Sequence, residues 1–568
     1  MPLRYTPTNR YVFPSEVLDL TLPRLRLSLS ALLLVTLAAP TLVAQSPAKS
    51  DAKSDSKSDS KAAAPEALPD AITEGSVKVG SETIDYKAVA GTLTVGSSDD
   101  QDNWIGLDGN YLPDAPIDLK AKPEDRPATA RMYYVAYFAK NAGKNRPITF
   151  LYNGGPGSST MYLHMGAFGP MRVEVPQDLT HKEGAPYDLV PNQYSLLDAS
   201  DLVFIDAPDT GFSRIFGKDA AKAFFGVDQD AHAFDRFIRR FLNKYNRWNS
   251  PKYLFGESYG TTRTAVLTYY LQRHLDLNGS IFLSQILSFD DSADDPEGNP
   301  GTDNGYFLAL PSMAATAWFH HRVPSQPKEL EPFLHEVEQY ATGPYASALL
   351  KGSDLTDDEK KSVAEKLESF TGVPAAYWLK ANLRVSGGEF SKELMSEMGI
   401  TVGRLDTRYQ GPDMDRLSRE ADYDPFGNAL DSAYNTAVNQ YTRDSLKYGE
   451  NMTYKPSSGQ AGNDWDLRHH PPVGEGWASS TNVMPDLSVA MKSNPRLQVL
   501  LMGGYYDLGC TYFGATYEDK HLQIPASLQS NIHYHFFESG HMVYVTTTVL
   551  KQLHDTTAAF IRSTESGK

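Results

Sequence analysis

The sequence predicts an α/β fold: a mixed, mostly parallel sheet carrying an inserted, mainly helical cap. Three observations predict it. Six apolar runs, at residues 147–152, 202–205, 253–255, 281–289, 497–502 and 532–537, have the shortness and unbroken hydrophobicity of parallel strands buried on both faces. Ahead of them, 83–95 and 130–138 alternate apolar with polar residues, as antiparallel strands along one edge of the sheet do. Between about Asp290 and Met484 the rhythm gives way to helix-like, Tyr-rich segments punctuated by Gly and Pro. The expected division is therefore a first core part at 72–289, a cap at 290–484 and a second core part at 485–568. Within the first part, 231–245 reads as a helix with Phe234, Ile238, Phe241 and Leu242 on one stripe. The charged run 354–366 reads as a solvated helix face.

The leading segment is of another kind. Residues 27–44 form an apolar run behind Arg24 and Arg26 that ends in small residues before Gln45. Residues 1–44 are expected to be a signal peptide, and the protein to be secreted or periplasmic. The competing reading is an uncleaved membrane anchor, because the run is almost long enough to span a bilayer although Pro40 interrupts it. Membrane contact is expected only in that case. No cysteine stands there, which excludes lipoprotein anchoring, and the stretch before Arg24 fits a later translation start. Residues 45–71, a Lys-Ser-Asp repeat followed by an Ala-Pro stretch, hold too little apolar surface to offset the entropy of ordering and read as a disordered linker.

At 568 residues the chain exceeds one ordinary domain. Its formal net charge of -17 argues against a nucleic-acid partner, which needs clustered Lys and Arg. The single cysteine, Cys510, excludes an intrachain disulfide and the cysteine-pair zinc and redox motifs. His320 beside His321 and His469 beside His470 invite a metal reading, but adjacent side chains rarely converge and no acid stands at helical spacing next to them. No metal and no cofactor are expected.

The chemistry centres on Tyr253-Leu254-Phe255-Gly256-Glu257-Ser258-Tyr259-Gly260, a strand that stops at a serine between two glycines. This is the pattern of the nucleophile elbow of an α/β-hydrolase, in which a tight strand-to-helix turn lifts the hydroxyl to the top of the sheet. A serine needs a base in contact and an acid that orients the base, and on this fold the chain order is Ser, Asp or Glu, His. The run 497–502 is followed by Gly503-Gly504-Tyr505-Tyr506-Asp507, and the run 532–537 by Glu538-Ser539-Gly540-His541-Met542. Ser258, Asp507 and His541 are thus the candidate triad. His533 and His535 are rival bases inside a strand; Asp519 and Glu538 are rival acids. A developing oxyanion needs N–H donors. Asn153-Gly154-Gly155-Pro156-Gly157-Ser158-Ser159 follows a core strand and supplies the amide of Gly155, with that of Tyr259 as its partner.

These motifs, together with Asp206-Ala207-Pro208-Asp209-Thr210-Gly211-Phe212-Ser213, resemble the serine carboxypeptidases over about residues 147–542. The resemblance implies removal of C-terminal residues from peptide substrates, with Asn153, Gly154 and Glu257 holding the terminal carboxylate. A Glu beside a bound carboxylate is repulsive unless one of the two is protonated, which implies acidic pH. Three departures stand out. Ala167-Phe168-Gly169-Pro170 replaces the Glu-Leu-Gly-Pro of the family, so a second acid is missing unless the cap supplies one. Ser158 stands where the family has cysteine, and the eukaryotic disulfides are absent, as in a bacterial-type member. Ser288-Phe289-Asp290-Asp291 stands where Gly-Asn-Gly is usual. The alternatives are an esterase or acyltransferase on the same scaffold, or a catalytically silent binding protein. Cys510, three residues past Asp507, is expected near the site. The sequence leaves side-chain specificity and oligomeric state open.

Overall fold

Strands form where the pattern of burial demands them. In the computed structural model, which describes residues 68–565 except 144, 182–183, 475 and 477–479, the described residues belong to one compact unit, Ala62–Lys568. The expected signal peptide and all but the last residues of the expected linker lie outside the described residues. Strands β1 (Ala71–Val79), β2 (Glu82–Gly96) and β3 (Thr129–Ala139) pair antiparallel. Along β3, Tyr133, Val135 and Tyr137 enter the core on one side of the sheet, and Met132, Tyr134 and Ala136 the core on the other, the period of two that an extended backbone imposes.

Strands β4 (Ile148–Tyr152), β5 (Asp201–Ile205), β6 (Lys252–Glu257), β7 (Gly279–Leu283), β8 (Gln498–Gly504) and β9 (Ile532–Phe537) follow. β5 pairs antiparallel with β3, and every pair beyond it is parallel. The order is β1-β2-β3-β5-β4-β6-β7-β8-β9, with a short strand Arg214–Phe216 beside the start of β3. That is an α/β-hydrolase sheet. Its strand order reverses between β4 and β6, whose carboxyl ends lie side by side, and open α/β sheets hold their ligands at such a switch point. Helix α1 (Val227–Tyr245) starts four residues before the expected one, on residue 227 instead of 231, and buries Phe234, Phe237, Ile238 and Phe241.

The run 281–289 is strand only as far as Leu283. Ser284 turns to φ 53°, and one oxygen of the buried Glu518 accepts the N–H groups of Leu287 and Ser288. A side chain thus takes the place of a ladder, and the apolar residues are buried by a turn. The chain leaves the sheet here and comes back alongside: Ser288 bridges Asn482, Phe289 donates to the carbonyl of Thr481, and Val483 to that of Leu287.

The inserted segment has two parts. Helices Asn304–Phe319, Leu330–Tyr340 and Asp357–Thr371 enclose a further core that includes Leu310, Phe333, Leu334, Leu367 and Trp378 and is joined by Tyr506, Leu508 and Tyr512 from the segment after β8. Helix Asp357–Thr371, which carries most of the charged run, opens with a Thr356–Glu359 capping box. Helix Pro425–Asp444, by contrast, buries Phe426, Leu430, Tyr434 and Tyr441 in the core of the sheet with Phe168 and Phe204. Among the described residues no helix is long and apolar enough to cross a membrane.

On the return path His469 is buried between two carboxylates, with Nδ1 2.6 Å from Asp228 Oδ1 and Nε2 2.7 Å from Asp486 Oδ2. Both ring nitrogens face acceptors, so the ring is held as imidazolium. Burial opposes the charge, but the hydrogen bonds to Asp228 and Asp486 outweigh it and lift the pKa to about 9. Because the folded value lies above the unfolded one, near 6.5, the stabilisation is complete below about pH 6.5 and is lost as pH rises through about 9, an effect of up to about 3 kcal/mol. The difference in melting temperature between wild type and His469→Gln should therefore be constant below pH 6 and shrink between pH 7 and 9.5. Thermal melts across that range check it, and a difference independent of pH refutes it.

Candidate active site

The turn after β6 is set by close approach. Ser258 has φ 62° and ψ −134°, a conformation L-residues avoid, and helix α2 (Tyr259–Leu271) starts immediately after it. A Cβ on Gly256 would stand 2.2 Å from the carbonyl oxygen of Gly260 and 2.4 Å from Thr264 Oγ1, so the strand enters the turn only as glycine. Gly256, Glu257, Tyr259 and Gly260 are buried while Ser258 is partly exposed. The elbow read from the sequence is present in its full geometry.

The loop after β4 lies against that helix. A Cβ on Gly154 would come within 2.4 Å of the Tyr259 nitrogen and 2.6 Å of the Gly260 nitrogen. Tyr259 is the first residue of α2, and its N–H has no intrahelical acceptor. Gly155, at φ 110°, stands in the touching loop, so the two expected oxyanion donors belong to adjoining segments. Asn153 is held at three points. Its N–H reaches Thr160 Oγ1 at 3.4 Å, its Oδ1 accepts from the Leu163 N–H at 3.0 Å, and its carbonyl accepts from Arg263 Nη1 at 2.8 Å. With Oδ1 occupied, the side-chain NH₂ is the group that bonds Glu257 and Tyr544. The segment 206–213 supports the loop from below: buried Asp206, lifted to about 6 by burial, accepts the Thr160 N–H at 2.8 Å.

Asp507 and His541 follow β8 and β9 at the same edge of the sheet. His541 Nδ1 lies 2.7 Å from Asp507 Oδ2, and Oδ1 accepts the N–H groups of Gly509 and Cys510 at 2.8 and 3.0 Å. The carboxylate is therefore fixed, and it fixes the ring. Burial works against charge on His541, but Asp507 outweighs it and holds the imidazole well above its ordinary range. The inserted segment braces this loop: the Leu405 carbonyl accepts the His541 N–H, and Arg408, paired with Asp406, donates to the Glu538 carbonyl, Ser539 and Thr546. Cys510 is buried and hydrogen-bonded to His541, with burial pushing its thiol up. Donor atoms of Asp507, Cys510 and His541 lie within 4.8 Å of one another. Both Asp507 oxygens are already engaged by N–H groups, which makes the cluster an oriented acid–base set.

Glu257 is buried beside this set. Burial lifts its carboxyl to about 7, against the lowering influence of His541 and of hydrogen bonds from Tyr544 and Asn153. The Tyr544 hydroxyl lies 3.1 and 2.9 Å from its two oxygens. Ala167 is buried in the wide turn Leu163–Phe168, where the rings of Tyr434 and Tyr544 pack against Gly166. In the inserted segment Asp431 accepts from the Tyr162 hydroxyl at 2.9 Å, and burial, Asp431 and Glu257 all push that phenol up.

The rivals stand elsewhere. His533 and His535 are exposed along β9, the edge strand, with His533 bonded to Gln498. Asp519 is buried against Gln285, and Glu538 is exposed. His320 bonds the carbonyl of Thr407, and His469 is the buried clasp described above. Sequence reading missed Tyr544, Arg263 and Arg408. Only Tyr544 left a trace, its closeness to His541 in the chain.

Gly154→Ala should cost at least about 2 kcal/mol, since its methyl meets the backbone of Glu257, Tyr259 and Gly260, which cannot yield cheaply. Chemical denaturation of the purified variant measures it, and a loss under about 0.5 kcal/mol contradicts the packing.

Residues 123–281 match the family model described as serine carboxypeptidase. A carboxypeptidase Y homolog of Arthroderma benhamiae is 30% identical over 159 residues, 27% of this chain and 29% of that protein. Serine carboxypeptidase-like 38 of Arabidopsis thaliana is 30% identical over 148 residues, 24% of this chain and 27% of that protein. The alignments thus span less than a third of these relatives. Among solved structures, the chain is similar to a prohormone-processing carboxypeptidase of Saccharomyces cerevisiae, with TM-score 0.46, 14% identity, and coverage of 82% of this chain and 90% of that one. Residues 123–281, which contain the Asn153 loop and the Ser258 elbow, are thus the part of the chain that is similar to the serine carboxypeptidase family.

Proposed function

We propose that this protein is a serine carboxypeptidase that removes residues from the C-terminus of peptides. The observation that carries the proposal is the pairing of two features at one sheet edge: His541 oriented by Asp507 at 2.7 Å, and Asn153 bonded to a buried, proton-retaining Glu257 next to Ser258. In this reading the substrate's terminal carboxylate accepts hydrogen bonds from the Asn153 NH₂, the Gly154 N–H and protonated Glu257. In the form with a neutral His541, Ser258 Oγ attacks the scissile carbonyl carbon while its proton passes to His541 Nε2, and the N–H groups of Gly155 and Tyr259 stabilise the oxyanion. His541 then protonates the leaving amine, the C–N bond breaks, and the acyl group stays on Ser258. Water, deprotonated by His541, releases the acid and restores the serine. The apolar run 27–44 supports export of the enzyme from the cytoplasm.

A second reading, an esterase or acyltransferase, is favoured by one observation: Ala167 stands where a second acid would help hold a carboxylate. Hydrolysis of acyl esters with no cleavage of N-blocked dipeptides decides for it.

Two measurements test the proposal. Ser258→Ala should lower turnover of an N-blocked dipeptide by at least about a thousandfold with the melting temperature kept; retention above that level contradicts the role of Ser258. Glu257 can donate to a carboxylate only while protonated, so KM for substrates with a free C-terminus should rise as pH passes upward through about 7, and KM for C-terminal esters should not. Tyr544→Phe removes a hydrogen bond that favours the charged form and should move that rise to higher pH. A KM profile that is the same for both substrate types removes Glu257 from carboxylate recognition.

A further inference from the structure

Arg263 has no part in the chemistry above, yet it is one of the largest side chains in the protein to be wholly buried. It sits on α2 five residues after Ser258, and its side chain and that of Asp230, on the first turn of α1, are both 0% exposed. Nε donates to Asp230 Oδ2 at 2.6 Å, and the guanidinium lies 4.3 Å from the ring centre of Phe234, 5.2 Å from that of Tyr152 and 5.6 Å from that of Tyr259. Nη1 donates to the carbonyl of Asn153 at 2.8 Å.

A buried ion pair is a poor way to gain stability, because desolvation consumes most of the attraction, and apolar residues of the same volume do as well. What it does give is a fixed direction. The guanidinium is planar, is tied through Nε to one carboxylate oxygen with rings around it, and sends Nη1 to one carbonyl, while Nη2 is buried with no partner of its own. The peptide unit that begins with this carbonyl is planar and trans, so holding the oxygen of Asn153 turns the N–H of Gly154 to the opposite edge of the plane. Gly155 follows directly. Since Arg263 grows from the helix that starts at Tyr259, a single side chain sets the rotation of the Asn153–Gly154 plane, from which Gly155 continues, relative to the helix that carries the Tyr259 amide.

We propose that Arg263, held by Asp230, is the positioning residue of the loop that supplies the oxyanion donor Gly155: through the Asn153 carbonyl it fixes the Asn153–Gly154 peptide plane, and with it the direction in which the chain enters Gly155. The inference rests on the hydrolase reading above but not on which end group the substrate carries.

The test compares wild type with Arg263→Met, Arg263→Lys and Asp230→Asn on an N-blocked dipeptide and on a p-nitrophenyl ester of an N-blocked amino acid, with a peptide aldehyde as mimic of the tetrahedral state. Arg263→Met should lower kcat on the ester by about 30-fold with KM within about threefold, and weaken aldehyde inhibition by a similar factor, as loss of oxyanion alignment does. Arg263→Lys should recover only part, since an ammonium cannot serve Asp230 and the carbonyl in one fixed plane. Asp230→Asn should lose less than Arg263→Met, in the same pattern, and it decides the matter should Arg263→Met fail to fold. Folded variants that keep kcat within twofold, or that lose activity while aldehyde affinity stays unchanged, overturn the proposal, as does full recovery with lysine. Should the wild type cleave the ester and leave the dipeptide intact, the carboxypeptidase reading falls while Arg263 is still judged on the ester.

Discussion

The close approach of two backbones governs the site. Gly154 packs on the first turn of α2 with no room for a methyl group, and Gly256 packs on the next turn of the same helix with equally little. β4 and β6 are neighbours at the point where the strand order reverses, so their exits are the one pair of loops the sheet brings face to face there. Amides that have no partner inside the helix then lie beside amides of a glycine-rich loop, and the strained serine between them is the price of the approach. Substrate chemistry needs this arrangement, but so does the packing of α2 against the sheet.

Charge is distributed around that contact with a different compensation for each group. Asp507 stays a hydrogen-bond acceptor because two backbone N–H groups and the imidazole all point at it. Glu257 gets hydroxyl and amide donors and the influence of His541, but burial outweighs them and keeps its proton on to about 7. Asp206, with the Thr160 amide and the Tyr454 hydroxyl as donors, is lifted by burial to about 6. Buried carboxyls thus stand in three settings here: one fixed by backbone N–H groups against an imidazole, one beside a phenol and one under a loop, with burial the largest influence on Glu257 and Asp206.

Legibility in the sequence followed the range of the interaction. The elbow was readable because its glycines answer to sterics within eight residues, and Asp507 and His541 were readable because strand ends are marked by local apolar runs. The antiparallel edge was readable from period-two alternation, although β1 begins at Ala71, earlier than its alternation becomes visible at Val77. The run 281–289 misled because a continuous apolar stretch does not say whether a ladder or a distant carboxylate, here Glu518, will satisfy its amides. The division of the insertion into a part that encloses a further core and a helix laid on the sheet was not readable, since Tyr434 and Tyr441 differ in nothing local from the tyrosines around them. Tyr544 and Arg263 depend on partners hundreds and roughly a hundred residues away, Glu257 at a separation of 287 and Asn153 at 110, and no local pattern encodes such pairs.

Ala167 shows what this chain does with a position its family resemblance would fill with acid. Two carboxyls that share a proton titrate in two steps, one pushed down and one pushed up, and both must be considered when an anion binds between them. A single carboxyl among phenols has one step, set by how dry the pocket is and how many hydroxyls donate to it. Here Tyr544 donates to both oxygens, Asn153 adds an N–H, and the methyl of Ala167 contributes neither charge nor solvent. The step stands near 7, close to neutrality, where a shared pair would have spread it across a wider range. Losing the second acid therefore need not abolish carboxylate recognition. It replaces a proton shared between two acids with one proton held by burial, and places control of that proton in the hydroxyl of Tyr544, three residues from His541.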